Sequence, residues 1–194
     1  MMPTKHKPCL YAGTVRGDRI QFLQQVDDFA VAAVTQDLTL SIIQQINNKM
    51  RIEVKHQGII TCFNGVDVHQ TRDFIKITCE KYLHNMLKQR NWLPTTSTLD
   101  SIPLSADPKY ITKLEQAAIP PTMEAKTQLR QRMGFNYHQV IGEVIYPMMK
   151  CRPDIAFHAT KLSQYMENPA EAHYEALRQL CNYLAHTITD GIYY

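Results

Sequence analysis

The sequence lacks the features of an exported, membrane-spanning or zinc-binding protein. No apolar run approaches the ~20 residues that a membrane-spanning helix needs, and the N-terminal stretch M-M-P-T-K-H-K-P-C-L-Y has no apolar core of a signal peptide. The five cysteines are widely spaced and never form a C-x-x-C pair, and the eight histidines show no H-E-x-x-H motif. We therefore expect an intracellular protein with reduced thiols, no structural metal site, no targeting signal and no membrane partner.

The composition is that of an ordinary globular protein. The 194 residues are 44% hydrophobic and 20% charged, which is enough for one full domain or two small ones with a buried core. The formal net charge of +3 permits a polyanionic partner but does not by itself indicate one.

The first half of the chain alternates between the periodicities of strands and helices. Residues 8–34 read as strands with a turn near 13–18 and an acidic pair at a second turn. Thr35 is a predicted N-cap, followed by apolar residues at helical spacing. Period two returns in 51–78, with a hairpin that closes near 71–73, and a second helix is predicted from about Cys79 to Asn91.

The second half is predicted to be helical after an irregular connection. Residues 94–125 hold five of the ten prolines, which indicates a boundary. Helical patterns follow at 136–149, 153–166 and 170–186, and the last has Asn168 as predicted N-cap, Pro169 at N1 and Glu171 placed for a capping box. The terminal G-I-Y-Y reads as the first strand of an unfinished element. The fold class is α+β.

The acidic pair Asp27 and Asp28 lies between two hydrophobic strands and allows two interpretations. Asp is a common turn former, so a solvated hairpin turn is one of them. The other is a rigid tip that offers hard oxygen ligands to Mg²⁺, as in a nucleic-acid polymerase palm. Because successive strand residues point to opposite faces, we expect Asp27 to be the direct ligand and Asp28 to support it.

The residues around this pair resemble copia-type retrotransposon reverse transcriptases from about Pro8 to Tyr194. The segment Q-V-D-D-F is similar to the family's Y/Q-V-D-D-hydrophobic hairpin, and I-I-T-C-F-N-G-V-D-V is similar to its Y-F-L-G-I-E-I hairpin. I-K-I-T-C-E-K-Y-L-H-N-M-L resembles I-x-x-x-Q-x-K-Y-I-x-x-L-L, and the stretch Y-H-Q-V-I-G-E-V-I-Y-P-M-M-K-C-R-P-D-I resembles Y-R-x-x-V-G-x-L-x-Y-x-x-x-x-T-R-P-D-I. These segments follow one another in the family's order and spacing.

The resemblance implies an architecture for each part of the chain. Residues 1–78 would form a partial polymerase palm of antiparallel hairpins plus helices, and 79–93 a thumb-like helix. Residues 94–125 would be a Pro-rich linker. Residues 126–194 would be a helical connection region leading toward a ribonuclease H domain.

The resemblance also implies ligands and site residues. The ligands are Mg²⁺ or Mn²⁺, an RNA template/DNA primer duplex and a deoxynucleoside triphosphate. Asp27 and Asp28 would be catalytic metal ligands. The F-N-G turn would be a primer grip, although an ordinary hairpin with a bulge is an equal alternative. Basic residues would contact phosphates, with a solvated helix face as the alternative. The primer-grip-like residues are Phe63, Asn64 and Gly65, and the basic residues are Lys55, near the leaving pyrophosphate, with Lys81, Lys88 and Arg90.

The chain departs from the family pattern in ways that weaken an enzymatic interpretation. The family supplies a further catalytic Asp from an upstream strand, which this sequence does not contain, and the fingers and the ribonuclease H acids are missing too. Neither Asp18 nor Asp67 is placed to substitute, and Gln25 stands where many relatives have Tyr. Arg152 and Asp154 match the R-P-D motif, which we interpret as structural.

The leading functional hypothesis is that the chain is a fragment of a retrotransposon polyprotein. Its ancestral activity would be RNA-directed DNA polymerisation by two-metal nucleotidyl transfer. We expect the isolated chain to be inactive and its partner to be the rest of the polyprotein. The alternative is a non-catalytic remnant or nucleic-acid-binding module, and a third is an interaction module built on residues 126–190. The family implies a cytoplasmic particle or the nucleus. Open sheet edges predict poor solubility.

Overall fold

The computed structural model describes residues 2–5, 7–51, 53–93, 102–105 and 107–194. The architecture is α+β, with two four-stranded antiparallel sheets among these residues. The chain divides into two compact units, Met1–Ile60 and Thr61–Tyr194. Of the helices described, none has the length and apolar character needed to cross a membrane.

The first unit is a meander followed by one helix. Its strands are β1 (Met2–Pro3), β2 (Leu10–Val15), β3 (Asp18–Gln25) and β4 (Asp28–Ala32), paired in the order β1-β2-β3-β4. Helix α1 (Gln36–Met50) follows. In the part of the unit that is described, β4 pairs with β3 alone, so the sheet has an open edge there. The predicted low solubility stays a prediction.

Helix α1 covers one face of this sheet. Leu38 and Ile42 of α1 form a small buried cluster with Ile20 of β3. The Thr35 hydroxyl accepts a hydrogen bond from the Leu38 N–H at 3.3 Å, so the predicted N-cap is confirmed. Since Ile20 points to the helix, the alternation of β3 turns Gln25 to the opposite face.

The second unit begins with its own sheet. The strands are β5 (Cys62–Phe63), β6 (Val66–Gln70), β7 (Ile75–Thr78) and β8 (Gly191–Tyr193), in the order β5-β6-β7-β8. The terminal strand predicted from G-I-Y-Y is present, but it pairs with β7 rather than starting a new element. A Cβ on Gly191 would overlap the carbonyl oxygen of Ile77, so the strand begins with a glycine at this close contact.

The rest of the described part of this unit consists mainly of helices. One 3₁₀ turn (Pro153–Ile155) precedes the sixth helix. The hydrophobic core draws on every helix from α2 onward, including Leu83, Ile141 and Leu177. The helices are α2 (Glu80–Lys88), α3 (Pro108–Glu115), α4 (Met123–Met133), α5 (Tyr137–Lys150), α6 (Ala156–Ser163) and α7 (Glu171–His186).

The irregular connection predicted over 94–125 is wrong in part. Residues 94–101 and 106 lie outside the described residues, but α3 and the start of α4 fall within the predicted linker. Pro108 occupies N1 of α3, where proline fits because its missing N–H would have no helical partner. The prolines here mark helix starts as well as loops, and the division between units falls after Ile60 instead.

The predicted start of α7 is also wrong. The helix begins at Glu171, with Ala170 at the N-cap, rather than with Asn168 as N-cap. The Asn168 side chain accepts a hydrogen bond from Lys126 of α4 instead of capping α7. The Ala170 N–H donates to Nδ1 of His173 at 2.9 Å, so an imidazole supplies the acceptor at this helix end.

Candidate functional site

The V-D-D segment forms the two-residue turn between β3 and β4. Gln25 pairs with Asp28 across the hairpin, which leaves Val26 and Asp27 as the central turn residues. Val26 has a φ of 53° and is 79% exposed. A β-branched residue at positive φ is strained by about 1–3 kcal/mol, and the exposed side chain has little packing to offset it. The hairpin tip therefore holds a backbone shape that its own sequence disfavours.

Both carboxylates of the pair are exposed at this tip. Asp27 lies in the turn, while Asp28 begins β4 and shares a sheet face with Gln25. Within the described residues, neither carboxylate forms an ion pair. Side chains alternate between faces only along a strand, and Asp27 lies in the turn. The expectation that Asp27 is the direct metal ligand and Asp28 supports it therefore stays a prediction.

The pair suits part of a magnesium site. Mg²⁺ is commonly bound by one or two carboxylates, with water and substrate phosphates as the remaining ligands. Two exposed, unpaired carboxylates match that donor set. Across the described ranges, no group of three or more His, Cys, Asp and Glu side chains is placed to hold a metal ion. These residues alone therefore offer ligands for one ion and not the set that brackets two.

Lys55 belongs to the same unit as the carboxylates. It is exposed and lies in the irregular segment after α1. This segment is tied to the helix by the Val54 N–H, which donates to Oδ1 of Asn47 at 2.9 Å. The role of Lys55 near pyrophosphate stays a prediction.

The F-N-G segment forms the turn between β5 and β6. Asn64 and Gly65 are its central residues and have φ values of 50° and 77°. Positive φ at both positions is the type I′ pattern that Asn-Gly favours. The segment is thus a tight two-residue hairpin, and its role as a primer grip stays a prediction.

Gly65 has a close neighbour within the chain. The Tyr146 hydroxyl of α5 donates to the Gly65 carbonyl at 3.1 Å, and a Cβ on Gly65 would overlap that hydroxyl oxygen. The space beside Gly65, which was predicted to let a primer strand approach the backbone, is thus occupied by the hydroxyl of Tyr146. Sequence reasoning missed Tyr146, because nothing local links two residues that lie 81 positions apart.

Two of the three basic residues on or after α2 are engaged within the unit. Lys81 pairs with buried Asp67 at 3.1 Å, and the same carboxylate accepts the Lys81 backbone N–H at 3.0 Å. The hydrogen bond and charge of Asp67 raise the pKa of Lys81. Asp67 thus caps the start of α2, which agrees with its rejection as a catalytic acid.

Arg90 is bound on several sides. Its guanidinium pairs with Glu143 of α5 at 2.8 Å and donates to the Met86 carbonyl at 2.9 Å, and its side chain is only 14% exposed. Lys88 is exposed on α2. The contacts assign Arg90 to the packing of α2 against α5, whereas Lys88 and Lys81, whose side chain is 73% exposed beside Asp67, stay accessible to solvent.

The R-P-D motif forms a staple around the buried Arg152. Arg152 is 1% exposed and donates to both carboxylate oxygens of Asp154, at 2.9 and 2.7 Å. It also donates to the Thr187 carbonyl at 2.8 Å, and the Tyr183 hydroxyl donates to Asp154 at 3.0 Å. Burial would raise the pKa of Asp154, but the hydrogen bonds and charge of Arg152 outweigh it and lower that pKa. These contacts support the structural interpretation of the motif.

Comparison with known proteins places the chain beside retrotransposon polyproteins. It is 25% identical over 192 residues, 97% of this chain, to the retrovirus-related Pol polyprotein from transposon TNT 1-94 of Nicotiana tabacum. It is 26% identical over 179 residues, 92% of this chain, to the retrovirus-related Pol polyprotein from transposon RE1 of Arabidopsis thaliana. The putative transposon Ty5-1 protein YCL074W of Saccharomyces cerevisiae is 22% identical over 90% of this chain.

The chain spans only part of each relative: 14% of the TNT 1-94 polyprotein, 11% of the RE1 polyprotein and 52% of the Ty5-1 protein. No family model and no solved structure matches it. The similarity supports a segment of a copia-type retrotransposon Pol polyprotein.

Proposed function

We propose that the chain corresponds to the part of a copia-type reverse transcriptase that runs from the V-D-D hairpin of the palm through the thumb-like helix to the connection region. The observation that carries the proposal is the hairpin tip, where two unpaired, exposed carboxylates follow a strained residue. The end-to-end similarity to Pol polyproteins supports the same assignment.

In this proposal the hairpin presents metal ligands. Asp27 and Asp28 hold Mg²⁺ or Mn²⁺, which when bound stabilises negative charge on the transferring phosphoryl group. The backbone pairing of Gln25 with Asp28 keeps the two carboxylates at the tip of a sheet. Since the described residues bring no third acid to the pair, the isolated chain is not expected to extend a primer.

The F-N-G hairpin and α2 serve the nucleic acid in the same proposal. The primer-grip-like turn consists of Phe63, Asn64 and Gly65. Tyr146 is a positioning residue, because its hydroxyl donates a hydrogen bond to the Gly65 carbonyl. Exposed Lys88 contacts phosphate without sequence preference. Lys81 and Arg90 act by holding α2 in place, through Asp67 and Glu143.

Metal binding by the isolated chain tests the proposal. Paramagnetic Mn²⁺ is titrated into ¹⁵N-labelled protein, and selective line broadening should centre on residues 26–29. Asp27→Asn with Asp28→Asn should remove it. Asp18→Asn, which changes an exposed acid at the opposite end of β3, should leave it unchanged. Broadening that is absent, or that survives loss of both acids, would contradict the metal-ligand assignment.

Polymerase activity is tested in a longer chain that includes the residues preceding this segment in a relative. A fusion of this chain behind the corresponding upstream segment of the TNT 1-94 polyprotein should extend an RNA-primed or DNA-primed template with Mg²⁺, and Asp27→Asn should abolish that extension. Salt-sensitive hybrid binding by the isolated chain without Mn²⁺ binding at the hairpin would favour the non-catalytic, nucleic-acid-binding alternative instead.

A further inference from the structure

Two buried cysteines meet in the second unit. Cys79 is the N-cap residue of α2 and Cys151 is the C-cap residue of α5, and they are 0% and 1% exposed. Their Sγ atoms lie 3.0 Å apart although the residues are separated by 72 positions. A disulfide has an S–S length of ~2.05 Å, so a shift of about 1 Å would bring the two sulfurs to bonding distance.

Both cysteines are departures from the family pattern. The segment that resembles I-x-x-x-Q-x-K-Y has Cys79 in place of the glutamine, and the segment that resembles T-R-P-D-I has Cys151 in place of the threonine. Neither replacement alone could form a cross-link. The fold brings together the two positions at which this chain has a thiol and the pattern has none.

The surroundings distinguish the two thiols. The hydrogen bond between the two thiols and the charge of the adjacent Arg152 lower the pKa of Cys151, although burial opposes them. The same hydrogen bond, together with burial, raises the pKa of Cys79. Cys151 is therefore the thiol that ionises first and acts as the nucleophile.

We propose that Cys79 and Cys151 are a peroxide-oxidised dithiol site that forms a reversible disulfide. In the first step the Cys151 thiolate attacks one oxygen of hydrogen peroxide, the O–O bond breaks, and one water leaves after protonation, giving a sulfenic acid. In the second step the Cys79 sulfur attacks Sγ of Cys151, the S–O bond breaks and a second water leaves. Two thiols and one peroxide thus give one disulfide and two waters.

Burial limits the oxidant to a small molecule. Hydrogen peroxide is nearly the size of water and reaches the pair during local opening of the unit. The other three cysteines are placed differently, since Cys9 and Cys62 are exposed and Cys181 is buried on α7. Cys62 and Cys181 serve as internal references for the reaction.

The cross-link would tie the start of α2 to the end of α5, next to the Arg152 staple. The disulfide would join residues 72 positions apart into a loop, which lowers the conformational entropy of the unfolded chain and so stabilises the folded unit. The melting temperature of the second unit should rise by about 5–10 °C on oxidation. This inference does not depend on the proposed function.

The test is peptide mapping of the full chain. Protein treated with hydrogen peroxide is alkylated, digested without reductant and analysed by mass spectrometry. We expect one cross-linked peptide pair that joins Cys79 to Cys151, its disappearance after dithiothreitol, and the rise in melting temperature. A map in which Cys79 and Cys151 stay alkylated while Cys62 is oxidised would overturn the proposal.

A second experiment uses a variant without the two thiols that is expected to fold, so that a lost response to peroxide cannot be due to unfolding. Cys79→Gln with Cys151→Thr restores the residues of the family pattern and should fold without the response to peroxide. Cys62→Ser should keep both the cross-link and the thermal shift. A peroxide-induced rise in melting temperature that persists in the Gln/Thr variant would assign the effect to another residue and contradict the proposal.

Discussion

Two residues, Val26 and His173, have a conformation or an environment that the neighbouring sequence does not predict. Val26 adopts a positive φ at an exposed hairpin tip, and His173 is buried between α3 and α7. The first stores backbone strain next to the candidate metal ligands. The second makes the packing of helices depend on an imidazole staying neutral.

Replacing Val26 with glycine should stabilise the first unit. Glycine adopts positive φ without a Cβ clash, so relief of strain exceeds the added entropy of the unfolded chain. We expect a gain of up to about 1 kcal/mol in urea unfolding. Val34→Gly is the matched control, because Val34 is also exposed but does not have positive φ. It should lose stability, and a loss in both variants would argue against strain at Val26.

Stability should fall as the pH drops through the range of histidine titration. Nε2 of His173 donates to the Leu114 carbonyl at 2.8 Å and Nδ1 accepts from Ala170, so the ring is neutral, and burial lowers its pKa. The unfolded chain then binds the proton first. Stability is full above about pH 6.5 and declines below it, by up to about 1.4 kcal/mol per pH unit for one proton.

Urea unfolding from pH 5 to 7.5 measures this slope. His173→Gln should flatten it, although His158, whose pKa burial also lowers, leaves a remaining slope. His138→Gln, at an exposed position of α5, is the control for the substitution itself. Equal slopes in the His173 variant and the parent would show that the imidazole is not the group that titrates.

At the scale of elements, hairpins and helices are joined by contacts between distant side chains. The β5–β6 turn meets α5 through Tyr146, and α2 meets α5 through Arg90 and Glu143. Helix α5 therefore determines where the F-N-G turn and α2 lie within the second unit.

A double-mutant cycle should reveal the Gly65–Tyr146 contact. Gly65→Ala places a Cβ on the Tyr146 hydroxyl and strains a residue with positive φ, so we expect a loss of about 2–3 kcal/mol. Tyr146→Phe alone should cost about 1 kcal/mol from the lost hydrogen bond. The double variant should cost less than the sum, because the clash is gone.

Gly134→Ala is the control for the backbone term. Gly134 has a φ of 78°, almost equal to the 77° of Gly65, but has no atom near the position of a Cβ. Its loss should be smaller than that of Gly65→Ala and additive with Tyr146→Phe. Additivity at Gly65 as well would show that the tyrosine does not crowd this turn.

At the scale of the whole molecule, the two units differ in the size of their cores. The first relies on a cluster around Ile20, Leu38 and Ile42, whereas the second draws on six helices. Small cores give marginal stability, so we expect the first unit to unfold at lower temperature than the second.

Calorimetry should resolve two transitions. Leu38→Ala should lower only the first and Leu177→Ala only the second, since large-to-small core substitutions cost about 2–5 kcal/mol. Both leucines are almost fully buried, at 5% and 0% exposed, so the two variants are matched. One transition that both variants shift equally would contradict separate unfolding.

Local sequence signals determined much of the secondary structure. The existence of both hairpins, the Asn64–Gly65 turn, the Thr35 cap and the main helices follow from turn residues and apolar periodicity, which act over a few positions, whereas the positive φ of Val26 does not. The carboxylate pair and the F-N-G turn are candidate site residues because the segments around them resemble copia-type reverse transcriptases. Two local signals misled. Proline occurs both in loops and at the first position of a helix, and Pro108 begins α3. Asn can cap a helix or bind another side chain, and Asn168 accepts a hydrogen bond from Lys126.

Only the tertiary structure decided which distant groups meet. Pairing of β8 with β7, the approach of Tyr146 to Gly65, the Asp67 cap of α2 and the contact of Cys79 with Cys151 each join residues separated by at least 14 positions. Such contacts depend on how helices and strands pack, and packing is set by the shape of the whole core rather than by neighbours in sequence. The sequence thus determined the elements and the candidate ligands, whereas the fold determined that Lys81 and Arg90 pair with acids of the same unit and that only Arg90 of the three cations is largely buried.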